Sequence, residues 1–148
     1  MGANSLTAAK LAIGDFTNLV DDPEFSAGGW VRRSGASTAS NIVTTAGLPG
    51  PSWKLDGIGG EVSVWTTNFA QVDPGASYFV GFRAQNQLTG TSPAAFMRLY
   101  WYTETGTYIT YSEIPVPATG AATAWQDYSN SFVAPATARR AIPVFIHG

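Results

Sequence analysis

The chain of 148 residues contains no cysteine, and only 12% of its residues are charged. Without thiols it can form no disulfide, thiolate metal site or cysteine nucleophile. The formal net charge of −2 provides no basic field to neutralise phosphates, so we expect no nucleic-acid partner. No apolar run approaches the roughly 18 residues that a membrane-spanning helix needs, so we expect no membrane insertion.

Groups suited to catalysis are also scarce. The only histidine, His147, lies one residue from the end of the chain, where a fixed geometry for proton transfer is hard to maintain. Glycoside hydrolysis requires two carboxylates held across a sugar. The acids nearest to that pattern, Asp56 with Glu61 and Glu104 with Glu113, flank turns, where acids are commonly just solvated. We therefore predict that the chain is not an enzyme.

The residues that are abundant indicate a β fold. Aromatic residues make up 13% of the chain, and there are 16 glycines and 9 prolines. A long helix with a polar face needs many Lys, Glu and Arg residues, which this chain lacks. Short alternating segments are instead separated by turn signals about every ten residues, as in sandwiches. We predict one all-β domain, a jelly-roll β-sandwich of two antiparallel sheets.

The clearest strand pattern covers residues 95–103. One alternating set is apolar and is predicted to fill the core: Met97, Leu99 and Trp101. The other set is predicted to point outward: Arg98, Tyr100 and Tyr102. Residues 104–106 then form a turn into a strand at 108–111, which predicts a hairpin.

Two further strands carry outward residues of the same kinds: Trp65 in residues 61–68, and Arg83 and Gln85 in residues 78–85. If these strands share a sheet, their side chains form a shallow surface of rings and planar hydrogen-bonding groups. Sugars present flat C–H faces and many hydroxyls, which such a surface suits. The predicted sugar contacts are Trp65, Arg83, Gln85, Arg98, Tyr100 and Tyr102. The alternative is that the rings cover a second sheet face or meet a neighbouring subunit, because Tyr, Trp and Arg are equally favoured in protein interfaces.

The remaining tryptophans are better explained as core residues, because each ring buries a large area. This prediction applies to Trp30, Trp53, Trp101 and Trp125. The last strand, at residues 141–146, contains Pro143. A proline inside a strand predicts an edge position or a bulge.

Several landmarks follow one another in an order that resembles a known family. They are Asp22-Pro23-Glu24-Phe25 before Trp30, Val72-Asp73-Pro74-Gly75 before Tyr78, the strand at 97–102, and Trp125 before Phe132 and Ala134-Pro135-Ala136. This order resembles the galactose-binding-like jelly roll of many carbohydrate-binding modules, over about residues 18–146. Residues 5–19 are similar to segments that join modules in tail and fibre proteins of phages infecting actinobacteria.

These resemblances imply a domain of a phage minor tail or receptor-binding protein. They divide the chain into a leader or stem at residues 1–17, commonly trimeric in such proteins, and a sandwich at residues 18–148. Many family members hold a structural calcium with a Glu after the opening Phe, but Ser26 follows Phe25 here. We therefore predict no metal site, because Asp22 beside Pro23 is better explained as part of a turn; Asp22 and Glu24 are the calcium candidates that the sequence offers. We expect no other cofactor. The chain also stops where the family would have a further strand.

The function implied is non-catalytic binding of host cell-surface glycan, in a virion tail or another extracellular setting. One alternative is a structural virion protein, in contact with other virion proteins, whose aromatic face is a subunit interface. A second alternative is an accessory binding module of a secreted polysaccharide-degrading enzyme.

Overall fold

The computed structural model describes residue 19 and residues 29–34, 41–44, 51–54, 62–84, 95–117 and 125–147. The predicted leader at residues 1–17 lies outside these ranges. The described residues form these strands: β1 Trp30–Ser34, β2 Asn41–Thr44, β3 Pro51–Lys54, β4 Val62–Thr66, β5 Ala70–Gln71, β6 Ser77–Ala84, β7 Ala95–Tyr102, β8 Tyr108–Val116, β9 Gln126–Val133 and β10 Arg140–His147. The same ranges contain no helix long and apolar enough to span a bilayer.

Six strands form the main sheet, in the order β1-β4-β10-β7-β8 with β5 also paired to β10. All of its pairings are antiparallel. Strands β6 and β9 form a second antiparallel ladder of eight residue pairs. Strands β2 and β3 form a third, shorter ladder. The prediction of an all-β sandwich built from antiparallel sheets is confirmed.

The core lies between the main sheet and the β6–β9 ladder. Met97 and Trp101 are completely buried, and Leu99 is nearly so. From the opposite ladder, Tyr78, Val80 and Phe132 pack against the cluster around Trp101. The indole Nε1 of Trp101 donates a hydrogen bond to Ser112 Oγ at 3.0 Å, which satisfies its one polar atom. The predicted core set of β7 is therefore confirmed, and Trp30 is also buried as predicted.

The turn between β7 and β8 matches the predicted hairpin. The amide of Gly106 donates to the Thr103 carbonyl at 3.0 Å, and the amide of Thr103 donates to the Thr107 carbonyl at 2.9 Å. Gly106 has a φ of 88°, a left-handed conformation that glycine adopts without a Cβ clash. The turn therefore depends on a glycine at this position.

Pro143 lies in a central strand, so of the two predicted alternatives, an edge position or a bulge, the edge position is wrong. Strand β10 pairs with β7 along its whole length, with Pro143 opposite Leu99. On its other edge, β5 pairs with residues 140–141 and β4 pairs with residues 144–147. Pro143 therefore lies at the gap between β4 and β5, so on this edge it has no ladder partner among the described residues. The proline is tolerated in β10 because β4 and β5 leave a gap opposite it, so no ladder on that edge is interrupted by it.

Replacing a buried valine of β10 should destabilise the fold much more than replacing an exposed valine of β9. Val144 is 0% exposed and Val133 is 65% exposed. Val144→Ala should lower the free energy of unfolding by about 2 kcal/mol, through lost apolar burial and a residual cavity. Val133→Ala should change it by less than about 0.5 kcal/mol. Urea denaturation of both variants measures the difference, and equal losses would contradict the burial of Val144.

Candidate functional site

Four of the six predicted sugar contacts lie on one face of the main sheet. We call it the outer face, because it points away from β6 and β9. Arg98, Tyr100 and Tyr102 alternate along β7 with the core residues. Trp65 of β4 joins them, because Val144 is the register partner of both Trp65 and Arg98. The sheet thus brings these four side chains together, and their contact with sugar stays a prediction.

Arg83 does not belong to this surface, because its strand does not share a sheet with β4 and β7, which was the condition for a joint surface. It lies on β6, which pairs with β9 in the opposite ladder. Its side chain is 54% exposed and forms an ion pair with Asp127, whose Oδ1 lies 2.9 Å from Arg83 Nε. The hydrogen bond and the positive charge of Arg83 hold the pKa of Asp127 below its ordinary value. Gln85 lies outside the described residues.

Tyr100 faces outward as predicted, but it is not exposed to solvent. Only 8% of the residue is accessible, and it belongs to a buried cluster with Ile142, Val144 and Ile146 of β10. Trp65 and Tyr102 pack against this cluster and are themselves half-buried. The outer face therefore has an apolar centre of its own. Tyr100 is a supporting residue of that centre, and the prediction that it offers a free ring is wrong.

The two most exposed rings of the outer face are on β8, and the sequence does not point to them. Tyr108 is 50% exposed and Tyr111 is 42% exposed. Residues three apart in a regular strand point to opposite faces. Here the register shifts, so that Tyr111 pairs with Tyr100 while Tyr108 pairs with Tyr102. This bulge returns both rings to the same face, as β-bulges commonly do near functional sites.

Five aromatic side chains form a continuous row across the outer face. We call it the aromatic row; in spatial order it contains Phe69, Tyr102, Tyr108, Tyr100 and Tyr111. Successive ring centroids are 5.0, 5.9, 5.7 and 5.9 Å apart. Most of these pairs meet edge to face, the arrangement that ring quadrupoles favour. Phe69, at one end, is 39% exposed.

A partly buried ion pair adjoins the Tyr111 end of the row. Arg98 Nε lies 2.6 Å from Glu113 Oε2, and the two side chains are 26% and 30% exposed. The Arg98 guanidinium also lies 4.3 Å from the centroid of the Tyr111 ring. Burial by itself lowers the pKa of Arg98, but hydrogen bonds to Glu113 and Tyr100 and the charge of Glu113 outweigh it and raise the pKa. Arg98 is therefore a cation that its partner Glu113 holds over the ring of a tyrosine.

This arrangement suits binding better than bond breaking. Tyr108 and Tyr111 offer ring faces or edges for stacking, and Arg98 and Glu113 offer planar hydrogen-bonding groups beside them. A shallow surface of this kind can hold a flat, hydroxylated ligand such as a sugar. The carboxylate of Glu113, one of the acids considered for hydrolysis, is engaged by Arg98.

A separate depression of about 420 Å³ lies at the end of the sheet and is lined by Gln71, Val72, Asp73, Glu104 and Arg139. Asp73 there forms an ion pair with Arg139, whose Nη1 lies 3.6 Å from Asp73 Oδ1. In the part of the chain that the structure describes, metal-binding side chains do not group in threes. The candidate calcium ligands Asp22 and Glu24 lie outside that part, as do Asp56 and Glu61.

No protein-family model matches the chain, and no curated protein matches it. Solved structures do resemble it. A family 16 carbohydrate-binding module aligns with a TM-score of 0.60 at 14% identity, over 88% of each chain. The enzymatically active domain of tailspike protein 4 of bacteriophage CBA120 aligns with the same score and identity over 81% of this chain.

At 14% identity these likenesses show the fold alone. The chain has the β fold of a carbohydrate-binding module. It spans 17% of the tailspike chain, so that likeness concerns one part of a much larger protein.

Removing one charge from the Arg98–Glu113 pair should destabilise the domain. Glu113→Gln leaves a partly buried guanidinium with a weaker acceptor, and we expect unfolding to become easier by about 1–2 kcal/mol. The matched control is Asp127→Asn, which removes the same kind of partner from the exposed Arg83. Solvent screens that pair, so the decrease in the free energy of unfolding should be too small to measure. Urea denaturation at neutral pH compares the two, and an equal effect would refute the distinction.

Proposed function

We propose that the chain is a non-catalytic binding module of a phage tail protein, which contacts host cell-surface glycan through the aromatic row. The observation that carries the proposal is the row itself, with Tyr108 and Tyr111 exposed at its centre and at one end. The proposed role implies a location in the virion tail, outside the host cell.

Two further observations support a carbohydrate ligand. The fold is that of a carbohydrate-binding module, although the fold does not by itself determine the ligand. The Arg98–Glu113 pair supplies both a donor and an acceptor beside Tyr111, which matches the mixed hydrogen bonding of sugar hydroxyls. The likeness to a tailspike domain supports the phage context in the same limited way.

The supporting residues make the proposed surface rigid. Tyr100 is the buried member of the row and contacts the rings of both Tyr108 and Tyr111. A ring that is already held in place loses little conformational entropy when a ligand stacks on it. In this proposal Tyr100, Tyr102 and Trp65 orient the exposed rings, and Tyr108 and Tyr111 make the sugar contacts.

Weak single sites would be strengthened by repetition. We propose that residues 1–17 form a trimeric stem, which would present three copies of the surface on one assembly. Linking sites in this way raises the effective concentration for the second and third contacts.

The second candidate function is structural, with subunits of the virion meeting through exposed aromatic residues. The β6–β9 ladder favours it with two exposed apolar side chains, Phe79 at 73% and Val133 at 65%. Light scattering discriminates between the two candidates. A chain that oligomerises through this ladder would lose its assembly in Phe79→Ser, whereas the glycan proposal predicts no such loss.

Truncating the exposed tyrosines should weaken glycan binding. Tyr108→Ala and Tyr111→Ala each remove a stacking ring, so we expect each to lower affinity about 2- to 10-fold. Tyr111→Phe keeps the ring and should retain most of the affinity. A glycan array of bacterial cell-surface saccharides selects the best-binding oligosaccharide, and calorimetry with that oligosaccharide measures the change.

The matched control is Phe79→Ala, which removes an exposed ring from the opposite ladder. It should leave affinity unchanged. A folded wild-type chain that binds nothing on the array would remove the proposal, as would equal losses in Phe79→Ala and Tyr111→Ala.

A further inference from the structure

Arg140 stands at the Phe69 end of the aromatic row. It begins β10, where it is the register partner of Tyr102 on one side and Gln71 on the other. Its guanidinium carbon lies 5.7 Å from the centroid of the Phe69 ring. This distance is within the roughly 6 Å range of cation–π attraction, so Arg140 and Phe69 are neighbours at this end of the row.

Arg140 differs from the other arginines whose side chains the structure describes. Arg83, Arg98 and Arg139 each have a carboxylate partner: Asp127, Glu113 and Asp73. Arg140 forms no ion pair with any described carboxylate. Glu104, the acid of the adjacent β7–β8 turn, is exposed and makes no ion pair with it. Since Arg98 and Glu113 neutralise each other, Arg140 gives the described side chains of the outer face a net charge of +1.

The adjacent turn places a glycine next to the guanidinium. A Cβ at position 106 would lie 3.8 Å from Arg140 Nη1, so any side chain there would contact and partly cover this group. Gly106 has no side chain, and its φ of 88° disfavours any residue that would add one. Arg140 is half-buried, so part of the residue is in contact with solvent.

We infer that the glycan is acidic, and that Arg140 binds the carboxylate of a uronic-acid-type sugar while Tyr108 and Tyr111 stack on its neighbours. The inference rests on the proposed function. A guanidinium can bind a carboxylate through two parallel hydrogen bonds, and an unpaired cation beside aromatic rings favours an anion over a neutral hydroxyl.

The spacing fits a chain of sugars better than a single sugar. Arg140 and Tyr111 are on the two strands that flank β7, and their partners Tyr102 and Tyr100 are two residues apart. Strand spacing and rise place their Cα atoms about 12 Å apart. The carboxylate contact and the stacking contact therefore fall on different sugars of one polysaccharide.

The test compares acidic polysaccharides with their own neutral derivatives. Native gels are cast with polygalacturonate, alginate or hyaluronate, each as the free acid and as the methyl ester, and with neutral mannan and galactan. We expect at least one free acid to retard the wild-type chain, and its ester to bind at least about tenfold more weakly. Arg140→Gln should lose a similar factor for the free acid and change little for the ester.

Two variants separate carboxylate binding by Arg140 from the effect of the overall charge. Arg140→Lys keeps the charge without the planar fork and should bind with intermediate affinity. Arg139→Gln removes the same charge from the neighbouring residue, whose guanidinium is engaged by Asp73, and should change affinity less than about twofold. Thermal melting of each variant checks that the fold is retained.

The outcomes distinguish the inference from the proposed function. Retardation by mannan or galactan alone, or equal binding of acid and ester, would overturn the acidic-glycan inference and leave glycan binding intact. An equal loss in Arg139→Gln and Arg140→Gln would overturn the role of Arg140. No retardation in any gel would overturn both proposals.

Discussion

Strand β7 is buried on both of its faces, and the rest of the described structure depends on this constraint. On one face Met97 and Trp101 are fully buried, and side chains of the β6–β9 ladder pack against the cluster around Trp101. On the other face Tyr100 is buried against Ile142 and Val144 of β10. A strand with two buried faces cannot slip by one residue, because every core side chain would move to the wrong side. The register with β8 and β10 is fixed as a result, and with it the places of Tyr111 and Arg140.

The alternation that defines this strand could be predicted from the sequence, whereas its surroundings could not. The residues that alternate along β7 differ sharply in polarity: Met97, Leu99 and Trp101 are apolar, and the residues between them are Arg98, Tyr100 and Tyr102. The pattern therefore assigns the two faces correctly. The burial of Tyr100 depends on Ile142 and Val144, which are about 40 residues away along the chain. Local periodicity contains no information about such a distant neighbour. The sheet to which Arg83 belongs could not be predicted for the same reason, because no local pattern shows that β6 pairs with β9.

Two irregularities explain the other differences. The bulge between β7 and β8 adds one residue between Tyr108 and Tyr111, which reverses the face that regular alternation assigns to one of them. Pro143 is accommodated in a central strand because β4 and β5 leave an interruption opposite it. The bulge is an exception to a period of two, and Pro143 is an exception to the rule that a proline inside a strand marks an edge. They arise where strands meet, so they become visible only when the pairing is known.

Exposure alone does not distinguish a binding residue on this molecule. Phe79 is more exposed than any ring of the aromatic row, yet it makes no ring contact with another described aromatic residue, and its ring lies against Gly81. Tyr108 and Tyr111 are less exposed, but the ring of each contacts the ring of Tyr100. The Arg98 guanidinium also contacts the ring of Tyr111. A ligand that stacks on a supported ring meets a surface that is already ordered, whereas a ring without such support must first be immobilised. The cost of ordering therefore favours the aromatic row over the more exposed Phe79 as the contact surface.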